Sequence, residues 1–156
     1  RAPAPWRRIR AIRTLTQAGI PTGVMVAPLI PFITDTQLEH VLAAAAQAGA
    51  DSAGYTVLRL PYEVRAVFTQ WLYAHYPDRA DRVLHRVDEL GAARDATGQR
   101  ASSRFGARMR GEGVWAQMLA QRFAVAARKA GLNQRRFDLD PGLFVPPSPD
   151  GQQQLF

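Results

Sequence analysis

The chain has 156 residues, 47% of them hydrophobic, and a net charge of +7 at neutral pH. This size suffices for one domain with its own core, and no segment approaches the roughly 20 uninterrupted apolar residues of a membrane span. The absence of cysteine excludes disulfides, thiolate metal sites and cysteine nucleophiles from this chain. The first residues, RAPAPWRRIR, lack both a starting Met and the apolar core of a signal peptide. We therefore expect a cytoplasmic chain, cut from a longer one, without membrane association.

The first predicted elements are a helix and a short strand. Apolar residues recur along one side of Trp6 to Ala18 and arginines along the other, which predicts an amphipathic helix that Gly19 ends. The stretch GVMVA then reads as a strand that is apolar on both faces and stops before Pro28. Proline cannot donate to a sheet ladder, so the strand should end where a site begins.

A second helix and a second strand follow in the same order. Thr36 and Glu39 form a capping-box pattern, and apolar residues then recur at helical spacing until Gly49. The stretch SAGYTVLRL, Ser52 to Leu60, predicts a strand stopped by Pro61.

Two such strands indicate a parallel sheet that is not complete within this chain. Strands that are apolar on both faces and joined by a helix are typical of parallel sheets covered on both sides. Two parallel strands alone would leave both edges unpaired. The fold class predicted for residues 1–61 is therefore α/β, as the closing portion of a larger barrel or sheet whose first strands lie upstream.

The remainder is predicted to be a helical extension over residues 62–136 and a Pro-rich flexible tail over residues 137–156. Apolar periodicity predicts three helices: Pro61 to Tyr76, Asp78 to Leu90 and Val114 to Ala130. The polar, Gly-rich residues 92–113 between the last two are too long for a simple connection. The three tryptophans fall at helix-packing positions and are expected in the core: Trp6, Trp71 and Trp115.

Basic charge is concentrated in one part of the chain. Between Arg94 and Arg136, nine Arg and one Lys stand against Asp95 and Glu112, a local net charge of +8, while the rest is near neutral. A GC-rich genome would explain part of the arginine content but not its clustering. Clustered basic charge predicts a polyanionic partner, most simply DNA or RNA.

The loop SSRFGARMRG is the candidate contact with nucleic acid. Arginine forks bind phosphates in a bidentate manner, and an aromatic neighbour can stack on a base. The predicted contacts are Arg104, Phe105, Arg108 and Arg110. The alternative is a loop that folds over the barrel and pairs with its acidic residues.

Several stretches, in this order, resemble the C-terminal half of radical S-adenosylmethionine (radical SAM) proteins. They are RRIRAIRTLTQAGIPTGVMVAPLIPFITD, AAAQAGADSAGYTVLRLP, SSRFGARMRGEG and RRFDLD. The group they resemble is related to spore photoproduct lyase and is often labelled DNA repair photolyase-like. The resemblance implies a partial (β/α) barrel, a [4Fe-4S] cluster, S-adenosylmethionine and a 5'-deoxyadenosyl radical. It also implies three cluster cysteines spaced Cys-x3-Cys-x2-Cys, none of which this chain contains, so no metal ligand is assigned to it.

In this resemblance the ends of the two strands border the adenosine of S-adenosylmethionine. Active sites of α/β barrels lie at the carboxyl ends of the strands. The resemblance implies backbone contacts to the adenine from Val26 and Ala27, and an apolar contact from Leu60. The alternative is that the prolines simply terminate the strands and these residues pack the barrel rim.

The last residues, QQQLF, match the Gln-x-x-Leu-Phe pattern of peptides that dock into the bacterial sliding clamp. Gln152, Leu155 and Phe156 are the predicted anchors on a flexible tether, which is ordered only on binding.

Three hypotheses follow for the function. The first is the C-terminal portion of a radical SAM enzyme that acts on nucleic acid, with repair as its context. The second is a non-catalytic, Arg-rich helical module that binds DNA or RNA with a steep salt dependence. The third is a truncated remnant that neither folds nor binds.

Overall fold

A computed structural model describes residues 3–61, 63–91, 109–134 and 141–143. Predictions for the other residues lie outside the described part of the chain. The two strands and five helices are α1 (Pro5–Gln17), β1 (Gly23–Leu29), α2 (Leu38–Gln47), β2 (Ser52–Val57), α3 (Val64–His75), α4 (Ala80–Gly91) and α5 (Gly113–Lys129). Short 3-10 helices occupy Asp35–Gln37, Pro77–Arg79 and Pro141–Leu143. The fold is mixed α/β and mostly helical, and the described strands form no closed barrel.

The two strands pair in parallel, as predicted, but they end at different residues from those expected. Gly23 lies opposite Ser52 and Val26 opposite Tyr55, and the register then shifts before Leu29 meets Val57. β1 thus continues through Pro28, whose preceding peptide bond is cis, and β2 ends three residues before Leu60. The strand tolerates Pro28 because the backbone N–H that proline lacks would fall where the ladder is already irregular.

Helices α2 and α5 cover one face of the sheet and form the main core with it. Leu29 and Val57 from the strands are buried there with Leu42 of α2 and Leu119 of α5. The core beside the strands therefore uses a helix from much later in the chain. α1 joins the layer through Thr16, whose hydroxyl donates to the carbonyl of Ala48 at 3.1 Å.

The opposite face of the sheet is not covered by the described residues, so the prediction of strands covered on both faces stays a prediction for the larger sheet. Met25 stands at the middle of β1 with 63% of its surface exposed, and Ala27 is also exposed. The residue opposite Met25 on β2 is Gly54, which adds no side chain to this face. Within the described residues, the sheet thus has one packed face and one open apolar face.

The two edges of the sheet also differ. On the outer edge of β2, the Asn133 side chain accepts from the Ala53 amide at 2.8 Å and donates to the Ala53 carbonyl at 3.0 Å. Asn133 therefore satisfies the backbone groups of Ala53, which a third strand would otherwise pair. Among the described residues, none pairs with the outer edge of β1.

A second apolar cluster lies at the carboxyl ends of the strands. Leu72 of α3 and Val83 of α4 are fully buried, and Ile30, Leu58 and Leu60 pack against them from the segments that follow the strands. The α3–α4 pair is therefore fixed against the strand ends.

Only one of the three tryptophans is in the core. Trp115 is buried in α5, whereas Trp6 and Trp71 are exposed, so the prediction was wrong for those two. The reason is that α1 packs only lightly on its neighbours and buries none of its residues completely. Trp71 lies on the outer side of α3, stacked on His75. None of the described helices is both long and apolar enough to span a bilayer.

Candidate functional site

The loop after β1 is held by one hydroxyl group. Thr34 Oγ1 donates to the Pro28 carbonyl at 3.0 Å and accepts from the Ile30 amide at 2.7 Å. These backbone groups have left the regular ladder at the proline, and the threonine replaces their strand partners. The chain therefore turns away from the sheet without leaving these two groups unpaired.

The three residues expected to contact S-adenosylmethionine occupy different environments. Val26 is half-buried, and its side chain packs against the helix-covered core. Ala27 is exposed, and Leu60 is half-buried against the α3–α4 cluster. Val26 and Ala27 thus lie on opposite faces of β1, while Leu60 lies beyond the end of β2 and has a packing role of its own.

A cavity of about 320 Å³ lies between β2, the start of α5 and the turn that precedes α5. Its walls are formed by Tyr55, Arg110, Gly111, Glu112, Gly113, Ala116, Gln117 and Ala120. Glu112 donates its backbone amide to the Leu90 carbonyl at 3.1 Å, which anchors the turn on α4. Gly111 has a φ of 74°, and a Cβ there would lie 2.7 Å from Leu90 Cδ2, so this turn requires glycine.

Tyr55 is the most unusual residue of the cavity wall. It is 8% exposed, and its ring packs on Phe123 at a centroid distance of 4.7 Å. Its hydroxyl is buried and has no hydrogen-bond partner among the residues that the structure describes. Burial raises the pKa of the Tyr55 hydroxyl above its ordinary value, and the nearby charge of Arg110 acts in the opposite direction. The hydroxyl therefore stays protonated and is a donor without an acceptor.

Of the four residues predicted to contact nucleic acid, the structure describes Arg110. It is exposed, and its guanidinium carbon lies 5.9 Å from the centroid of the Tyr55 ring. Among the ion pairs of the described residues, none includes Arg110. The other predicted contacts lie outside the described residues: Arg104, Phe105, Arg108, Gln152, Leu155 and Phe156.

Tyr55 is the residue that the sequence reasoning missed. It was placed correctly in a strand, but its pattern is that of any aromatic residue on a buried face. Only the three-dimensional arrangement shows that its hydroxyl is left unpaired beside a guanidinium.

A metal centre is not apparent in the described part of the chain. No group of three or more His, Asp or Glu side chains is placed there to hold a metal ion, and the whole sequence lacks cysteine.

The comparisons with known proteins give partial relatives. Over 82 residues, the chain is 34% identical to an uncharacterized protein of Mycobacterium bovis and to uncharacterized proteins of two Mycobacterium tuberculosis strains. The match covers 51% of this chain and 24% of each relative, so the chain corresponds to about a quarter of their length. No family model matches the chain, and no solved structure matches it significantly.

Proposed function

We propose that this chain is the C-terminal portion of a radical SAM enzyme that acts on nucleic acid. The order of the stretches that resemble the spore photoproduct lyase-like group supports this proposal, from the strand GVMVA to the segment RRFDLD. In this proposal, β1 and β2 are the closing strands of a partial (β/α) barrel, and repair of nucleic acid is the context of the reaction.

The observation that carries the proposal is the asymmetry of the sheet. In a (β/α) barrel, helices cover the outer face of the strands and the inner face bounds the site. Here the described helices cover one face, and Met25 and Ala27 are exposed on the other among the described residues. Asn133 occupies the outer edge of β2, while the outer edge of β1 has no partner among the described residues. This arrangement is consistent with β2 as the last strand of the sheet and with further strands beside β1.

The residues of this chain fit the two implied cofactors unequally. Thiolates are the usual ligands of an iron–sulfur cluster, and this chain has none, so it does not hold the cluster. The ligands would have to come from another part of the protein. S-adenosylmethionine is a better fit, because Ala27, two residues before the end of β1, is a small and exposed residue that leaves room beside the backbone.

The proposal is tested on the full-length protein, reconstituted anaerobically with iron and sulfide. We expect bound iron and reductive cleavage of S-adenosylmethionine to 5'-deoxyadenosine. Absence of iron from a folded, full-length protein, or absence of this product with iron bound, would refute the proposed chemistry.

The nucleic-acid part of the proposal rests on the basic segment from Arg94 to Arg136. In a binding experiment with single- and double-stranded DNA, we expect affinity to fall steeply with salt, because phosphate contacts release counterions. DNA binding by a protein that takes up no iron on reconstitution would instead favour the non-catalytic Arg-rich module. The sliding-clamp contact through Gln152, Leu155 and Phe156 remains a separate prediction.

A further inference from the structure

We propose that the cavity beside Tyr55 is a binding site for a phosphate group. The site consists of the Tyr55 hydroxyl, the Arg110 guanidinium and the first backbone amides of α5. This inference goes beyond the proposed function, because such binding requires neither an iron–sulfur cluster nor a radical.

Tyr55 carries a donor without a partner among the described residues. A buried hydroxyl without a partner costs about 1–3 kcal/mol relative to one that is hydrogen-bonded. Tyr55 carries this cost at the wall of a cavity of about 320 Å³, which is large enough for a phosphate group and attached atoms. The hydroxyl is itself buried from solvent, so an oxyanion reaches it only when the Tyr55 ring shifts toward the cavity; it would then accept from the hydroxyl and remove the cost.

A positive charge lies at the wall of the cavity. Arg110 lies over the Tyr55 ring and takes part in none of the ion pairs among the described residues. A guanidinium fork can donate two parallel hydrogen bonds to a phosphate. Gln117, on the same wall, adds an amide donor.

The start of α5 also borders the cavity, which Gly113 and Ala116 line. α5 has 17 residues, and no side chain caps its first amides. Free amides and the helix dipole at such a terminus favour an anion. Three kinds of donor therefore meet at one cavity: a hydroxyl, a guanidinium and backbone amides.

The carboxylate of Glu112 disfavours an anion in this cavity, which gives a direct test of the kind of ligand. Its residue lines the same cavity, so its carboxylate would repel a phosphate. Removing this charge should improve binding, which would not be expected for a site that prefers a cation or a neutral ligand.

The test is calorimetric titration of the full-length, iron-free protein with inorganic phosphate. We expect R110Q to weaken binding about tenfold or more and Y55F about five- to tenfold, since each loses a hydrogen bond to a charged group. E112Q should bind more tightly. R13Q, at an exposed position of α1 outside the basic segment, serves as the control and should bind as the wild type does.

A second arm identifies the source of the phosphate. If single-stranded DNA shows the same order of variants, the site takes a backbone phosphate; if only inorganic phosphate does, it takes a free phosphate group. No binding at millimolar phosphate, or equal affinities in wild type, Y55F and R110Q, would overturn the inference. Y55F removes only the unpaired hydroxyl, so the folded state should be at least as stable as in the wild type. Because the protein is free of iron, failure here leaves the proposed radical chemistry untouched.

Discussion

The guanidinium of Arg122 on α5 binds the carboxylate of Glu39 on α2 at two points. Nε donates to Oε1 and Nη2 donates to Oε2, both at 2.9 Å. Nη2 also donates to the Asp35 carbonyl at 3.1 Å, and Nη1 lies 3.8 Å from the Asp35 carboxylate. One side chain thus connects α5 with α2 and with the turn that precedes α2.

Arg122→Met should destabilise the packing of α5 on α2 by about 2 kcal/mol. The main reason is that Asp35, which is buried, would lose its counter-charge, although partial exposure of Arg122 moderates the cost. Hydrogen exchange of the α2 and α5 amides in the full-length protein measures this effect. Glu39→Gln is the matched control and should cost less than about 1 kcal/mol, because Glu39 is half exposed. Equal losses in both variants would show that the Asp35 contact contributes nothing.

Asp35 should make stability depend on pH in an unusual direction. Burial raises its pKa above the ordinary value of 3.8, despite the opposing charge of Arg122. The folded state therefore binds a proton more readily than the unfolded state, and this contribution to stability is lost as pH rises through the folded pKa. Glu39 acts in the opposite sense, because its hydrogen bonds with Arg122 lower its pKa and its contribution is lost as pH falls.

The Asp35 contribution is isolated by Asp35→Asn. We expect the stability of this variant relative to wild type to improve as pH rises from about 3 to about 7, measured by urea unfolding of the full-length protein. Asp51→Asn, at an exposed position, is the control. A difference between D35N and wild type that does not change with pH would contradict the assignment.

At Asn133, substitution by alanine should destabilise the protein more than substitution by glycine. Its φ is 59°, and its side chain makes two hydrogen bonds with Ala53. Asn133→Gly loses the two bonds, about 1–3 kcal/mol, but keeps access to this backbone conformation. Asn133→Ala loses the same bonds and adds about 1 kcal/mol of backbone strain. Thermal unfolding should therefore rank alanine below glycine, and both below the wild type. The reverse ranking would contradict the backbone strain, and wild-type stability of Asn133→Gly would contradict the edge role of the Asn133 side chain.

Thr34→Val should loosen the segment after β1. The variant keeps the shape of threonine but leaves the Pro28 carbonyl and the Ile30 amide without their common partner. We expect a loss of about 1–2 kcal/mol, and near-neutral behaviour of Thr34→Ser, which keeps the hydroxyl. The two variants are compared by hydrogen exchange at Ile30, where similar protection in both would contradict the expectation.

Ala27→Leu tests the strand end as a cofactor site within the proposed function. Ala27 is exposed on the open face, so a larger side chain there should leave folding intact and block the adjacent space. We expect formation of 5'-deoxyadenosine to fall about tenfold or more, since small displacements of bound reactants have large effects on rate. Gln47→Leu, exposed on α2, is the control, and equal activities of the two variants would place the cofactor elsewhere.

Local sequence patterns determined the elements of this protein. The helical spacing before Gly19 and Gly49 predicted α1 and α2 to within about one or two residues, and both glycines adopt positive φ. The parallel pairing of β1 with β2 also followed from sequence, because a helix between two apolar strands leaves few other arrangements. Periodicity and turn residues act over a few neighbours, and the sequence displays them directly.

Tertiary structure decided which groups meet. The sequence places Asn133 far from Ala53, Arg122 far from Asp35, and Arg110 far from Tyr55, and nothing in the local pattern of either residue indicates its partner. The open face at Met25 was likewise not indicated, because an apolar residue in a strand looks the same whether or not a second layer covers it. The three residue pairs depend on where α5 and the residues around it pack against the sheet and α2. Long-range packing, and not local propensity, determines that position.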